Sequence, residues 1–221
     1  AQFGTIAGHL VSASRLSAPA ALVMSKILLP ESGEPVTLGL HVRPFYEKEN
    51  SLFEAIINGA NAGVKMIAGI VALLIAVLGL VALVDLALRG VGGWINSAFG
   101  IEFEWSLKAL FGYLFYPVTL VLGVPVSDAG EISRIIGERV IVTEVVSYRD
   151  LAAAMKAGAL QHERSAVIAT YALCGFAHIA SMAIFVGGVC GLAPERTRDV
   201  GRVAIRALIA ATLACLMTAC V

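Results

Sequence analysis

Charged residues are scarce in this sequence, and their scarcity narrows the class of protein. Asp, Glu, Lys and Arg make up 14% of the 221 residues and hydrophobic residues make up 58%, with a mean hydropathy of +0.86. A soluble domain does not need so much apolar sequence to fill its core. The formal net charge is zero, without the clustered Lys and Arg of a nucleic-acid surface. The composition therefore predicts an integral membrane protein that does not bind nucleic acid.

Sequence motifs of metal, redox and hydrolytic chemistry are also missing. The cysteines Cys174, Cys190, Cys215 and Cys220 lie in apolar runs, with no Cys-x-x-Cys pair or Cys/His cluster to indicate a disulfide framework or a zinc site. The sequence has no glycine-rich phosphate loop, and its serines lack a neighbouring base in any recognisable nucleophile pattern. We therefore expect neither an enzyme nor a resident metal or cofactor.

Long apolar runs divide the chain into predicted membrane segments. The clearest is residues 66–84, which begins after Lys65 and ends before Asp85 and is long enough to cross a bilayer. In chain order, the sequence first predicts partial transmembrane helices of a transport core over 1–30, an exposed loop and amphipathic interfacial helix over 31–65, and a transmembrane helix over 66–89. A glycine-rich connection over 90–100 follows, and then a re-entrant hairpin with a substrate-contacting segment over 107–150. The last segments are a core transmembrane helix over 163–194 and a basic cytoplasmic loop followed by a final transmembrane helix over 195–221.

The predicted hairpin combines a short apolar helix, a turn and an amphipathic helix. The apolar run 109–124 is shorter than a comfortable span, contains Pro117 and ends at a Gly-Val-Pro turn. Irregular backbone at membrane depth is tolerated where protein buries it or water lines it, which is how transporters build binding sites. Further along, the spacing of Gly187 and Gly191 predicts close packing against another helix.

Polar residues interrupt the apolar sequence at two places and are candidates for ligand binding. Glu144 follows Thr143 between two apolar runs, and His178 precedes Ser181 by one helical turn, so that both can face one ligand. Purely structural roles are open for the same residues. Glu144 could pair with Arg139 or Arg149 on a helix surface, and His178 could donate a hydrogen bond to a neighbouring helix. Residue patterns alone thus predict a polytopic membrane protein, a transporter with polar residues in a central cavity.

Several strings resemble the carboxy-terminal half of the concentrative nucleoside transporter family. They occur in family order over nearly the whole chain: SAPAALVMSKILLPE, NSLFEAIINGANAGVK, LFGYLFYPVTLVLGVP, GERVIVTEVVSY, ERSAVIATYALCGFAHIAS and GGVCGLAPERTRDVGRVAIRALIAATLA. The resemblance implies an all-α polytopic membrane protein with broken transmembrane helices and two re-entrant helical hairpins, of which this chain supplies the second. It also implies assembly as a homotrimer.

The same resemblance assigns roles to the candidate residues. A family glutamate that contacts ribose corresponds to Glu144, a ribose-contacting serine corresponds to Ser181, and Phe176 would lie beside the sugar. Thr143 and His178 stand where the family has asparagine. Histidine is longer than asparagine and can titrate near neutral pH, so a pH-dependent or proton-coupled variant is conceivable. The sequence leaves both the coupling ion and the choice between purine and pyrimidine open.

The function implied by the resemblance is nucleoside uptake by alternating access, driven by a gradient of Na⁺ or H⁺, in a multi-pass protein of the inner membrane. Its partners would be the nucleoside substrate, membrane lipid and further copies of the same chain. We expect the coupling-cation site mostly upstream of this chain, which starts without an initiator Met, stops inside an apolar run and so reads as a piece of a longer protein. In the family a further crossing separates the equivalents of Gly8 and His9, so either a loop and a helix are missing here or the protein is degenerate. The alternative function is that of a non-transporting membrane domain that recognises nucleosides as a sensor or scaffold.

Overall fold

The secondary structure is helical throughout the part of the chain that the structure describes, residues 2–34 and 49–220. This computed structural model confirms the predicted all-α fold class. Its elements are α1 (Gln2–Leu28), α2 (Leu52–Phe99), α3 (Leu107–Val121), α4 (Val126–Arg139), α5 (Glu144–Lys156), α6 (Glu163–Leu173), α7 (Ile179–Leu192), a 3₁₀ turn (Pro194–Arg196) and α8 (Thr197–Ala219). Residues 35–48, which belong to the predicted exposed loop, lie outside the described residues.

Helix α2 is a single continuous helix of 48 residues, about 72 Å long at 1.5 Å per residue. Its N-cap residue is Ser51, whose hydroxyl accepts a hydrogen bond from the backbone N–H of Glu54 at 3.1 Å. Its C-cap residue is Gly100, whose φ of 65° is left-handed. No residue of its most apolar stretch is buried, as expected for a helix whose sides face lipid. The interfacial helix predicted within 31–65 is therefore the first part of α2 rather than a separate element.

The predicted connection at 90–100 is wrong, because α2 continues through its glycines. Each glycine in a helix interior costs about 1 kcal/mol relative to alanine, and tertiary contacts outweigh that cost here. The indole of Trp105 packs directly on Gly92 and donates its Nε1–H to Asn96 Oδ1 at 2.9 Å. A side chain at position 92 would occupy the place of the indole. Gly92 thus allows close packing of Trp105 on a continuous helix, whereas the glycine pattern of 90–100 indicated a turn.

Helices α3 and α4 form an antiparallel hairpin. Gly112 lies against the backbone of Arg134, and Gly137 lies against the backbone of Phe111, so the two helices approach closely. The inner face of α4 is fully buried at Ile132, Ile135 and Ile136. At the open end of the hairpin, Lys108 of α3 pairs with the buried carboxylate of Glu138 on α4. Close backbone contact and this ion pair make the hairpin one packed unit.

The core helix predicted over 163–194 is broken into two half-helices, α6 and α7, joined by residues 174–178. The break contains Gly175, whose φ of +140° is a conformation that residues with a side chain rarely adopt. A Cβ at this position would also lie 2.5 Å from the sulfur of Cys215. Hydropathy treats the stretch as one apolar run, so the prediction of a single helix missed this break.

The basic segment predicted as a loop at the start of 195–221 is helical from Thr197 onward. After the 3₁₀ turn, the Thr197 hydroxyl donates to the carbonyl of Pro194 at 2.7 Å, and Arg196 pairs with Asp199 at 2.8 Å. These contacts stabilise the first turn of α8, so the helix begins where the sequence predicted a loop. Helix α8 then packs against α1, α6 and α7. Together with α4 and α5, these helices surround the break.

Candidate functional site

Two breaks in the helical bundle lie side by side and form the candidate site. Residues 140–143 separate α4 from α5, and residues 174–178 separate α6 from α7. The backbone N–H of Ile179 donates to the carbonyl of Val140 at 3.0 Å, which fastens the second break to the first. The amino termini of α5 and α7 therefore meet, and such termini of interrupted membrane helices can present polar groups to a ligand.

Glu144 is the first residue of α5, where the positive end of the helix dipole favours a carboxylate. Its Oε2 atom lies 2.7 Å from Nε2 of His178, and its side chain is 24% exposed. Within the described chain, neither alternative partner suggested by the sequence lies within ion-pair distance of Glu144. Arg149 pairs with Asp150 at 3.5 Å, and Arg139 donates to backbone carbonyls. The partner of Glu144 is thus a histidine from a different element.

His178 is the N-cap residue of α7, and its ring orientation is fixed by that role. Its Nδ1 accepts a hydrogen bond from the backbone N–H of Ser181 at 3.0 Å, while the Ser181 hydroxyl accepts one from the backbone N–H of His178 at 3.0 Å. This reciprocal capping box satisfies two N–H groups at the helix start. A neutral ring bonded in this way carries its proton on Nε2. The donor atom Nε2–H therefore faces Glu144.

The Glu144–His178 pair leaves hydrogen-bonding capacity for a ligand. Among the described residues, neither Glu144 Oε2 nor His178 Nε2 has a partner with hydrogen-bond geometry, and the same holds for the buried hydroxyl of Ser147. His178 is only 1% exposed. Buried polar atoms without aligned partners are costly, so a ligand hydroxyl that accepts from Nε2–H and donates to the carboxylate would stabilise the site.

The other three predicted site residues surround this pair in different ways. Phe176 is 45% exposed, and its ring meets that of His178 edge-on, with centroids 5.0 Å apart. The Ser181 hydroxyl is already engaged, because it can donate to the carbonyl of Phe176 or of His178 at 2.9 or 2.7 Å. Thr143 is exposed at the N-cap of α5 and makes no side-chain capping bond. The structure thus brings Phe176 and Ser181 to the pair and places Thr143 at its edge.

An apolar cavity lies between α7 and α8, and two residues that contact His178, Phe176 and Ser181, line it. It has a volume of about 400 Å³ and is lined by Phe176, Ser181 and Phe185, together with apolar residues of α8. A ligand with a flat apolar part beside its hydroxyl groups fits such surroundings, because aromatic rings and small aliphatic side chains favour that part. In the described ranges there is no cluster of three or more His, Cys, Asp or Glu side chains able to hold a metal ion.

Arg139 is the residue of this region whose place the sequence did not predict. From the sequence it was a possible surface partner of Glu144, yet its side chain is 1% exposed. It donates instead to the carbonyls of Ala172 and Gly175 at 2.9 and 3.1 Å. In the sequence, this arginine directly precedes the apolar run Val140–Val142, which is a sign that it is unusual. Local periodicity could not show that its side chain reaches the end of a distant helix.

Residues 9–221 match the family described as Na+ dependent nucleoside transporter C-terminus. The chain is 38% identical to Solute carrier family 28 member 3 of Mus musculus, over 99% of this chain and 32% of that protein. It is 33% identical to Sodium/nucleoside cotransporter 1 of Rattus norvegicus, over 99% of this chain and 35% of that protein. The chain therefore spans about a third of the length of these relatives.

Two solved structures of a protein called CNTnw share the fold. A variant in an outward-facing state superposes with a TM-score of 0.82 at 32% identity, covering 98% of this chain and 52% of that one. CNTnw in an inward-facing substrate-bound state gives a TM-score of 0.64 at 32% identity, covering 96% of this chain and 49% of that one. The present arrangement is thus more similar to the first of these two than to the second.

Proposed function

Because the chain belongs to the family described as Na+ dependent nucleoside transporter C-terminus, we propose that the full-length protein moves nucleosides into the cell with a cation gradient as the driving force. The chain is an integral membrane protein, and its family is one of transporters rather than enzymes. Transport is a property of the whole protein, of which this chain supplies the portion that carries Glu144 and His178.

In this proposal Glu144 and His178 bind the ribose hydroxyls. The observation that carries the assignment is the pair of facing atoms, a carboxylate oxygen and an imidazole N–H, that lack aligned partners among the described residues. Adjacent hydroxyl groups of a sugar both donate and accept, so they complement an acceptor beside a donor. Phe176 packs beside the sugar, Ser181 holds residues 174–178 in place, and Thr143 lies at the edge of the pair.

Alternating access is the proposed transport cycle. The site lies between half-helices, at the kind of position where transporters bind substrates near the middle of the membrane. The greater similarity to the outward-facing CNTnw structure than to the inward-facing one supports an outward-facing arrangement for these residues. In the proposed cycle, substrate binding shifts the population towards a second, inward-facing arrangement.

For the coupling ion we propose Na⁺, which the family description names, with H⁺ as the alternative. The cation would bind mostly to residues upstream of this chain. We further propose a homotrimer in the inner membrane, surrounded by lipid. Size measurements on the purified full-length protein in detergent would test the trimer, and a monomer mass would contradict it.

The proposed function is tested by uptake of radiolabelled uridine and adenosine into proteoliposomes that contain the full-length protein. A Na⁺ gradient and an H⁺ gradient are applied separately. We expect Glu144→Gln to lower nucleoside affinity at least about tenfold, because a hydrogen bond to a charged group contributes about 1.5–3 kcal/mol. Glu195→Gln, at an exposed glutamate of the 3₁₀ turn, is the matched control and should leave uptake unchanged.

Three results would speak against parts of this proposal. Full uptake by Glu144→Gln would remove Glu144 from the binding site. Uptake driven by an H⁺ gradient alone would show that H⁺, and not Na⁺, is the coupling ion. Nucleoside binding without uptake under either gradient would favour the non-transporting sensor or scaffold.

A further inference from the structure

Helix α6 is a half-helix whose two ends are both held by side chains of other elements. It has 11 residues, and a helix of any length leaves N–H groups unbonded at its start and carbonyls unbonded at its end. Inside a membrane protein these groups need protein partners. The partners at both ends of α6 include charged side chains of one helix, α4.

At the amino end of α6 the partner is Asp128. This carboxylate is completely buried. It accepts hydrogen bonds from the backbone N–H groups of Gln161 and His162, both at 3.0 Å, and from the hydroxyl of Ser165 at 2.6 Å. A negative charge at this end also interacts favourably with the positive end of the helix dipole.

At the carboxyl end of α6 the partner is Arg139. Its guanidinium donates to the carbonyls of Ala172 and Gly175, and contacts the sulfur of Cys215 at 3.2 Å. Within the described ranges no carboxylate lies within ion-pair distance of it. The buried positive charge is therefore compensated by backbone carbonyls at the negative end of α6.

The spacing of the two charges on α4 matches the length of α6. Eleven positions separate Asp128 from Arg139, about 16 Å along a helix, and α6 itself is about as long. One helix thus presents a negative charge to the start of α6 and a positive charge to its end. This match fixes α6 lengthwise against the hairpin.

The carboxyl-end contact continues directly into the candidate site. Arg139 holds the carbonyl of Gly175 through its side chain, and the next residue, Val140, holds the N–H of Ile179 through its carbonyl. Two consecutive residues therefore fix both ends of the segment that carries His178.

We propose that Arg139 is a positioning residue for the nucleoside site, and that Asp128 and Arg139 together clamp α6 to the hairpin. Arg139 acts through Gly175, and the clamp keeps residues 174–178 in the conformation that sets His178 opposite Glu144. The part of the proposal that concerns binding rests on the proposed function, while the clamp itself does not.

The test compares Arg139→Met, Arg139→Lys and wild type in the full-length protein, with Arg149→Met as the matched control at an arginine whose side chain is 77% exposed. Equilibrium binding of uridine and hydrogen exchange of backbone amides are measured on each. We expect Arg139→Met to weaken uridine binding at least about tenfold, since charge-assisted hydrogen bonds are lost. Exchange should accelerate over residues 170–178 while α2 keeps its protection.

Arg139→Lys distinguishes a role of Arg139 in positioning His178 from a role in folding. Lysine keeps the charge but lacks the planar fork that reaches two carbonyls at once, so we expect binding and exchange between those of wild type and Arg139→Met. Unchanged uridine affinity in both Arg139 variants would overturn the positioning role, and unchanged exchange over 170–178 would overturn the clamp. If Arg139→Met does not fold, Arg139→Lys alone decides. If wild type itself binds no uridine, the proposed substrate fails, and the exchange data still decide the clamp.

Discussion

His178 uses its two ring nitrogens for two separate tasks. Nδ1 caps α7 by accepting from the backbone N–H of Ser181, and Nε2 faces Glu144. Protonation of Nδ1 would turn that acceptor into a donor and break the cap. The geometry thus favours the neutral ring, with Nε2–H as a fixed donor towards a ligand. An asparagine here could still cap the helix, but its shorter side chain would not reach as far towards Glu144.

The separate roles of the two ring nitrogens predict how substitutions at position 178 affect stability. We expect His178→Ala to lower the free energy of unfolding by about 1 kcal/mol, because the N-cap bond is lost. His178→Asn should stay within about 0.5 kcal/mol of wild type, since asparagine is among the best N-cap residues. Thermal unfolding of the full-length protein in detergent measures both.

Thr143→Ala is the control for this comparison, because Thr143 occupies the N-cap of α5 without a side-chain capping bond. It should unfold close to wild type. Equal losses in His178→Ala and Thr143→Ala would show that the capping bond of His178 does not contribute to stability.

Sequence reasoning singled out Glu144 and His178 as candidates but did not predict their pairing. Glu144 and His178 stood out because each interrupts an apolar run. The partners considered for Glu144 were its neighbours Arg139 and Arg149, since local spacing shows only residues on the same helix or close to it. The actual contact joins two different breaks, so it depends on tertiary packing. Whether these residues bind ribose stays a prediction.

At the scale of elements, α6 depends on the buried carboxylate of Asp128. We expect Asp128→Asn to lower the free energy of unfolding by about 1–3 kcal/mol, because the asparagine NH₂ group would face N–H donors and leave some of them unbonded. Faster hydrogen exchange should appear at the start of α6, over residues 161–167. Thermal unfolding and hydrogen exchange of the full-length protein measure the two effects.

Asp199→Asn provides the control for an aspartate in a first helical turn. Asp199 is exposed and pairs with Arg196 on the surface, so its loss should cost no more than about 0.5 kcal/mol. If the two variants lose similar stability, the buried hydrogen bonds of Asp128 are not what holds the start of α6.

The ends of elements were harder to predict than their existence. Glycine had opposite meanings at two places. Gly92 accommodates the indole of Trp105 inside a continuous helix, whereas Gly175 takes a left-handed φ at a real break. Local sequence cannot separate these cases, because the deciding neighbours, Trp105 and Cys215, come from later parts of the chain.

At the scale of the whole molecule, α2 is distinct from the rest of the bundle. Among the described helices it contacts mainly α7, with a smaller contact to α3. Its length of about 72 Å is more than twice the ~30 Å hydrocarbon thickness of a bilayer, so it must run obliquely or project beyond the membrane. The remaining helices pack around the two breaks. The line of contact between α2 and α7 therefore determines how α2 is attached to the binding region.

Composition and family resemblance were sufficient to predict the class of molecule at this scale. Scarce charge and high hydropathy indicated a membrane protein, and the strings resembling the nucleoside transporters indicated the family. The spacing of Gly187 and Gly191 predicted a close helix contact, but not with which helix. That partner is α2, at Ile70 and Met66, and hydropathy could not show it because residues 66–84 of α2 and 182–192 of α7 are apolar on all sides.

The contact between α2 and α7 predicts opposite effects for alanine at two adjacent glycines. A Cβ at Gly187 would lie 3.1 Å from the Cα of Ile70, whereas the nearest atom to a Cβ at Gly188 is the Cδ1 of Ile70 at 3.8 Å. Both substitutions gain about 1 kcal/mol of helix propensity. Gly187→Ala should lose that gain and more, because backbone cannot rotate away and overpacking costs about 1–3 kcal/mol. In thermal unfolding of the full-length protein, Gly188→Ala should thus equal or exceed wild type while Gly187→Ala falls below it. The reverse order would mean that α2 does not lie against α7 along this line.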